Sequence, residues 1–207
     1  MPSKTFLNLP LEKQANLLNA AKREFAKNSF NMASINQIIR DAEIPRGSFY
    51  MYFVDKEDLY YYILNKYRMT LFERVKYHLK EQKGDFIKVW EILYDEIINY
   101  CTASENVDLF KNIFLNMHYA TEKKMLLKPP IEEITRGQNE LLILISKDLY
   151  QSSNDSELMD AFGLVMMITT TSIVYTFMNK EIAIGERTTF KRRLNIIKYG
   201  LYKESEN

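Results

Sequence analysis

A short helical pattern with hydrogen-bond donors along one face is the stretch of this sequence whose residue types are best suited to chemistry. Residues 46–53 have the sequence RGSFYMYF. Phe49 and Phe53 lie four positions apart and would share one helical face, which leaves the following side chains on or beside the opposite face: Arg46, Ser48, Tyr50, Met51 and Tyr52. A short helix of this kind can enter the major groove of DNA and present its donors to base edges. Aromatic residues at helical spacing equally indicate ordinary core packing, and this stretch alone leaves both interpretations open.

A second helical pattern directly precedes this one and has its own start and stop signals. Ser34 and Gln37 form a capping box, in which the Ser hydroxyl accepts from the N–H three residues on and the Gln side chain reaches back. We expect this helix to stop near Ala42, because Pro45 disfavours the helical conformation in the residue before it. Pro45 in turn suits the first turn of the next helix. Two short helices around a tight turn predict a helix-turn-helix.

Helical spacing of apolar residues continues through the rest of the chain. Asp55 is placed to cap a long helix that carries apolar residues from Leu59 to Val75 on one face and ends near Gly84. The sequence therefore predicts an all-α fold with no strands and a break at Gly185. About nine helices are expected, at about residues 10–27, 34–42, 46–53, 55–84, 85–100, 105–127, 130–149, 155–179 and 188–203.

The composition indicates a globular chain with enough apolar residues for a substantial core. Of the 207 residues, 46% are hydrophobic and 27% are charged, and the formal net charge of +1 neither requires nor excludes nucleic acid. The single cysteine, Cys101, lies in an apolar helical pattern, which indicates a buried thiol in a reducing cytoplasm. We expect no secretory signal. Residues 161–178 are apolar and close to the lower length limit of a membrane span, but their central threonines favour a buried helix.

The sequence lacks the residue patterns of metal centres and active sites. Its two histidines, His78 and His118, are far apart, neither follows a glutamate by three residues, and there is no cysteine pair. We therefore expect neither a zinc site nor a carboxylate-bridged di-iron site. Because no phosphate-binding glycine loop or nucleophile elbow appears either, we expect no cofactor and no enzymatic activity.

The N-terminal part of the chain resembles the TetR family of bacterial transcriptional regulators. The resemblance covers about residues 10–60 and is carried by Ala20, Ala21, Phe25, Phe30, Ser34, Ile35, Ile38, Ala42, Ile44, Gly47, Ser48, Tyr50, Tyr52, Phe53, Lys56, Glu57 and Leu59. It implies a helix-turn-helix DNA-binding domain over residues 1–54 and an effector-binding and dimerisation domain over residues 55–207. Beyond residue 60, only the number and lengths of the helices resemble the family. Pro45 departs from the family pattern, in which Ser or Thr often caps the helix that enters the DNA groove.

The resemblance also implies which residues contact DNA. Phosphate contacts are expected from Ser34, Tyr50 and Lys56, whose hydroxyls and ammonium stand at helix starts or at the groove edge. Base contacts are expected from Arg46, Gly47, Ser48, Met51 and Tyr52. Arg46 can bond a guanine through two hydrogen bonds, Gly47 lets the backbone approach closely, and Met51 can meet a thymine methyl.

The C-terminal two thirds are expected to form a homodimer and to hold an effector. By the resemblance, the last two helices pair two subunits, and the apolar run at residues 161–175 fits a helix buried on two sides. A ligand pocket is expected among Tyr94, Phe114, Met117, His118, Tyr119, Phe162, Met166 and Thr169, although ordinary core packing explains the same residues. The resemblance implies a cytoplasmic repressor that binds a palindromic operator and is released by a small, largely apolar effector. The alternative is a helical small-molecule-binding or adaptor protein that does not bind DNA.

Overall fold

A computed structural model describes residues 2–115, 131–151, 153–178 and 180–201, and every regular element in these ranges is helical. The all-α fold expected from the sequence is confirmed. Ten α-helices and one short 3-10 turn, Lys147–Leu149, are present in the described part. The α-helices are α1 (Lys4–Leu7), α2 (Leu11–Lys27), α3 (Ile35–Asp41), α4 (Arg46–Tyr52), α5 (Lys56–Glu81), α6 (Phe86–Thr102), α7 (Val107–Leu115), α8 (Ile131–Leu142), α9 (Asp155–Met178) and α10 (Lys180–Leu201).

The chain divides into two compact units. One contains Met1–Thr70 and Cys101–Leu127, and the other contains Leu71–Tyr100 and Lys128–Asn207. The chain thus passes from one unit to the other within α5, again within α6, and a third time after residue 127. The boundary expected between residues 54 and 55 stays a prediction, because it separates functional domains, whereas the two units are defined by compactness and meet at other residues.

An aromatic core holds the first unit together. Phe49 and Phe53, expected to be the buried face of the second short helix, have 0% and 1% of their surface exposed. Phe6 of α1 is equally buried, at 0%, and the sequence had given no sign of this helix. Helix α7 also belongs to this unit, and its Asn112 side-chain amide donates to the carbonyl oxygens of Phe25 and Ala26 at 3.0 and 2.8 Å. Asn112 therefore satisfies carbonyls at the end of α2 that lack helical partners.

The second unit is built around the start of α6. Asp85, the first residue of the helix expected at 85–100, caps this helix by accepting from the Lys88 N–H at 3.1 Å. The helix expected through residue 149 instead ends at Leu142, so that prediction was wrong. The reason is a close backbone contact: the Ser146 N–H donates to the Gly84 carbonyl at 3.1 Å. The following turn brings Tyr150, 1% exposed, against α6, where its hydroxyl accepts from the Phe86 N–H at 2.9 Å.

No break occurs at Gly185, contrary to the sequence expectation, because α10 runs through it from Lys180 to Leu201. Glycine in a helix costs only about 1 kcal/mol relative to alanine. The Glu186 side chain, 4% exposed, accepts from the Ser172 hydroxyl at 2.6 Å and from Arg193, seven residues further along α10, at 3.0 Å. These bonds require Glu186 and Arg193 on one helical face, and they outweigh the glycine preference.

The most apolar helix, α9, is only partly covered within one chain. Residues 155–177 form a helix long and apolar enough to cross a membrane by length and composition, and 39% of its most apolar window is buried. One such helix is weak evidence for a membrane, because core helices of soluble proteins have the same properties. Its buried and exposed residues lie on opposite faces: Leu158, Phe162, Val165 and Thr169 are buried, whereas Leu164, Met167 and Tyr175 are exposed.

Cys101 is the buried thiol that its apolar surroundings predicted. The side chain is 3% exposed and forms no disulfide. Burial raises the pKa of this thiol to about 12, so it is protonated at neutral pH and a poor nucleophile.

Candidate nucleic-acid interface

The start of α3 is fixed by one local cap and one distant carboxylate. Ser34 is the N-cap, and its hydroxyl accepts from the Gln37 N–H at 3.4 Å, as the capping box predicted. The second half of the predicted box is wrong, because the Gln37 side chain bonds to Asp41 and Arg40 instead of reaching back. The Ser34 N–H donates to the Glu24 carboxylate of α2 at 2.8 Å. The sequence had given no signal for Glu24, since an acidic residue in an amphipathic helix normally faces solvent.

The turn between α3 and α4 ends α3 through backbone geometry. Glu43 adopts a left-handed conformation with φ of +54°. The Glu43 N–H donates to the Arg40 carbonyl at 3.1 Å, and the Ile44 N–H donates to the Ile39 carbonyl at 3.2 Å. This pair of bonds is a Schellman motif, usually built on glycine. Helix α3 therefore ends by this motif as well as by the influence of Pro45, which begins α4 with φ of −61°.

Helix α4 presents the residues expected to face DNA. Arg46, Gly47, Tyr50 and Met51 are exposed, while Ser48 and Tyr52 are partly exposed. Tyr50 and Met51 expose 50% and 60% of their surface, unusually large fractions for such side chains. A Cβ added at Gly47 would meet no atom within 4 Å, so the backbone is open to an approaching molecule there.

Lys56 lies at the start of α5 with most of its donor capacity already used. Its ammonium donates to the carbonyl oxygens of Asn31 and Ala33 at 3.1 and 2.8 Å and lies 4.9 Å from the centre of the Phe30 ring. Burial lowers the pKa of the Lys56 ammonium, and the negative charge of Glu24 partly opposes this effect. An ammonium has three donors, so one remains for a phosphate oxygen.

The residues expected to line a ligand pocket are only partly brought together. Within the second unit Tyr94, Phe162 and Thr169 are buried, whereas Met166 is 49% exposed. Phe114 belongs to the first unit, where it stacks on Phe110. The remaining three, Met117, His118 and Tyr119, lie outside the described residues.

Trp90, the only tryptophan of the chain, was missed as a pocket candidate. It lies in α6 with 2% of its surface exposed, and its ring contacts Phe162 edge-on at 5.6 Å between centroids. The indole Nε1–H has no hydrogen-bond acceptor among the residues that the structure describes. Leaving such a donor buried without a partner costs about 1–3 kcal/mol.

No group of three or more histidine, cysteine, aspartate or glutamate side chains suited to a metal ion exists within the described ranges. Among the described residues, one buried histidine lies in a cluster of charged side chains. His78 bonds to the Glu96 carboxylate at 3.0 Å, and Arg74 donates to the same carboxylate at 2.6 Å. An arginine at that distance makes the cluster an ion pair rather than a metal site.

Two family models match the chain. One, described as bacterial regulatory proteins of the tetR family, matches residues 17–63, and the other, described as a tetracyclin repressor-like C-terminal domain, matches residues 85–201. The second match alone covers more than half of the 207 residues. An uncharacterized HTH-type transcriptional regulator of Bacillus subtilis (strain 168), YuxN, is 32% identical over 94 residues, or 43% of this chain. The matched part spans about a third of that relative's length, 32%.

Solved structures of the same fold cover nearly the whole chain. A TetR-family transcriptional regulator from Pectobacterium atrosepticum has a TM-score of 0.65 at 14% identity, covering 96% of this chain and 100% of its own. NalD, the secondary repressor of the MexAB-OprM multidrug efflux pump in Pseudomonas aeruginosa, has a TM-score of 0.59 at 17% identity, covering 94% and 99%. The transcriptional regulator FadR from Bacillus subtilis, solved with stearoyl-CoA, has a TM-score of 0.59 at 17% identity, covering 90% and 98%. At these identities, the likeness extends to the fold alone.

Glu24 provides a direct test of how the interface is held. We expect Glu24→Ala to lower the free energy of unfolding by about 1–3 kcal/mol, because it leaves the part-buried Ser34 N–H and the Asn28 side-chain amide without their acceptor. Glu24→Gln keeps an acceptor oxygen and should lose much less. Urea unfolding of both variants measures the difference, and equal losses would show that the charge of Glu24, and not its bond to Ser34, is what stabilises the fold.

Proposed function

Because the chain belongs to the TetR family of bacterial transcriptional regulators, we propose that it is a cytoplasmic repressor that binds a palindromic operator as a homodimer and is released by a small, largely apolar effector. The exposed face of α4 is the observation that carries the DNA-binding part of this proposal. It is a seven-residue helix between two tight turns, with large apolar and donor side chains turned to solvent. Enzymatic activity is not part of the proposal, since members of this family are transcription factors.

We assign base contacts to Arg46, Gly47, Ser48, Met51 and Tyr52. Arg46 is exposed at the first position of α4 and has no ion-pair partner in the described part of the chain, so its guanidinium can turn to a guanine. Phosphate contacts are assigned to Ser34, Tyr50 and Lys56. For Lys56 the assignment uses its one remaining donor and its charge, because two donors hold the loop before α3.

Arg46→Ala tests base recognition on a duplex that the wild-type protein selects from a random-sequence pool. We expect the preference of the Arg46→Ala variant for that duplex over a scrambled one to be about 10-fold or more below that of the wild type, because one bidentate guanine contact contributes about 1–3 kcal/mol. Arg40→Ala removes the same charge from α3, where Arg40 bonds to Gln37, and should affect both duplexes equally. Titrations at several salt concentrations measure both effects.

The outcomes separate the two candidate functions. Failure of the wild-type protein to select any duplex would favour a small-molecule-binding or adaptor protein without DNA binding. Selection of a duplex without inverted repeats would contradict the palindromic operator. If Arg46→Ala lowers the affinity for both duplexes equally, only the assignment of a base contact to Arg46 is rejected.

An exposed apolar face on the last two helices supports the homodimer. Leu164, Met167 and Tyr175 expose 53%, 63% and 38% of their surface along α9, opposite its buried face. On α10, Ile196 and Tyr199 expose 68% and 84%. Monomeric soluble proteins rarely expose large apolar patches, and a twofold axis would let these exposed residues be covered by the same residues of a second subunit.

Met167→Glu should convert the dimer to a monomer, because it places two charges in an apolar interface. Met69→Glu is the matched control, since Met69 is 41% exposed on α5 and lies outside the proposed interface. Sedimentation equilibrium at micromolar concentration measures the mass of each variant. A dimer that survives Met167→Glu unchanged, or one that Met69→Glu disrupts equally, would contradict an interface built on α9.

The buried Nε1–H of Trp90, which has no acceptor among the described residues, supports effector binding in the second unit. A buried N–H without an acceptor is satisfied when a ligand brings a carbonyl or similar oxygen to it. The Phe162 ring, which contacts the Trp90 ring and packs on Phe86, favours an apolar or aromatic molecule around that oxygen. We therefore propose an uncharged effector with one hydrogen-bond acceptor.

The indole Nε1–H of Trp90 can be observed by itself, because 15N labelling of a chain with one tryptophan gives one indole cross peak. We expect acetophenone to shift this peak and to bind about fivefold more tightly than 2-phenylpropene, in which a CH2 group replaces the carbonyl oxygen, since one hydrogen bond contributes about 1 kcal/mol. In Trp90→Phe, the two probes should bind equally. An equal affinity of both probes for the wild-type protein would reject Trp90 as a ligand donor.

A further inference from the structure

An N-terminal segment lies against the end of α4 that is farthest from Arg46. We call residues 2–9 the N-terminal strap. The Ser3 hydroxyl donates to the Met51 carbonyl at 2.6 Å, and the Ser3 N–H donates to the Tyr52 carbonyl at 2.9 Å. These two carbonyls belong to the last turn of α4, where no helical N–H is available to them. One residue of the strap therefore caps two orphan carbonyls of the DNA-facing helix.

An aromatic contact fixes the strap behind this cap. Phe6 is fully buried, and its ring centroid lies 4.8 Å from that of Phe53, 5.6 Å from that of Tyr62 and 6.0 Å from that of Tyr52. The Phe6 N–H also donates to the Ser3 hydroxyl at 3.2 Å. The ring therefore packs against a proposed base-contacting residue, Tyr52, and against the residue that follows α4.

The far end of the strap is tied to α2. The Gln14 side-chain amide donates to the carbonyl oxygens of Leu7 and Leu9 at 3.2 and 2.9 Å. The strap is thus held at both ends and in its middle. The family model for the DNA-binding domain begins only at residue 17, so the strap itself lies outside the range that this model matches.

We propose that the N-terminal strap positions α4 for sequence recognition, with Ser3 and Phe6 as its positioning residues. A seven-residue helix does not keep its shape in water without outside partners. The strap supplies those partners at the carbonyls of Met51 and Tyr52, beside the side chains assigned to base contacts. Base contacts require correct placement to within a fraction of an ångström, whereas phosphate contacts tolerate small shifts. Loss of the strap should therefore reduce sequence preference more than general DNA affinity.

The proposal rests on the proposed DNA-binding function and is tested with the full chain on the selected and scrambled duplexes. Ser3→Ala removes the hydroxyl that caps Met51, and we expect affinity for the selected duplex to fall about fivefold while affinity for the scrambled duplex changes less than about twofold. Ser3→Thr restores a hydroxyl and should restore the preference. Phe6→Leu is the second variant, because it loosens the packing on Tyr52 while keeping an apolar side chain at this core position.

Lys4→Ala is the matched control, since Lys4 is exposed on the strap itself and its loss removes only a charge. Lys4→Ala could lower the affinity for both duplexes by as much as Ser3→Ala lowers it for the selected duplex. That result would show that the strap binds phosphate directly, and it would overturn the proposal. Equal preference in Ser3→Ala, Phe6→Leu and wild type would also overturn it. If the wild-type protein selects no duplex, the proposed function fails first, so the two failures are distinguishable.

Discussion

Helices of seven residues are too short to be stable by themselves in water, and both helices of the helix-turn-helix, α3 and α4, have seven residues. Their shape depends on partners from other parts of the first unit. The Glu24 carboxylate fixes the residue that caps α3, and Lys56 ties the preceding loop to α5. At the other end of the motif, Ser3 satisfies the last carbonyls of α4. The exposed face of α4 is therefore only as rigid as these contacts.

In the second unit, the constraint is different: polar residues of the apolar helix α9 are buried and need hydrogen-bond partners. Thr169 is buried, and its hydroxyl donates to the carbonyl of Val165 in the same helix at 2.7 Å. Ser172 and the buried Glu186 satisfy each other, and Arg193 supplies the compensating charge. These groups need nothing from outside the chain. Trp90 differs from them, because its buried donor has no such partner in the described residues.

Local signals in the sequence predicted local structure well. The caps Ser34 and Asp55 bond to N–H groups three residues away, so residue type and spacing were sufficient to find them. The burial of Phe49 and Phe53 followed from helical periodicity for the same reason. The all-α class and the family were likewise available from pattern and resemblance.

Partners that are distant along the chain could not be predicted in this way. Glu24 bonds to a residue ten positions away, and Ser3 bonds to one 48 positions away, so neither side chain differs in sequence from an ordinary surface residue. Gly185 was misleading, because its helix is maintained by a buried network that only the tertiary structure creates. The residues assigned to DNA and effector contacts are proposals. Helical periodicity indicates which side chains are exposed, but it does not indicate which molecule they bind.

The protonated, buried state of Cys101 has a practical consequence for studying this protein. The only native thiol of the chain is buried, and its pKa, which burial raises to about 12, keeps it protonated near neutral pH. A cysteine introduced on the exposed face of α4 would therefore carry a maleimide dye or a spin label selectively, with no need to remove Cys101. In the proposed homodimer, distances between two such labels, one on each subunit, would report the spacing of the two α4 helices in solution.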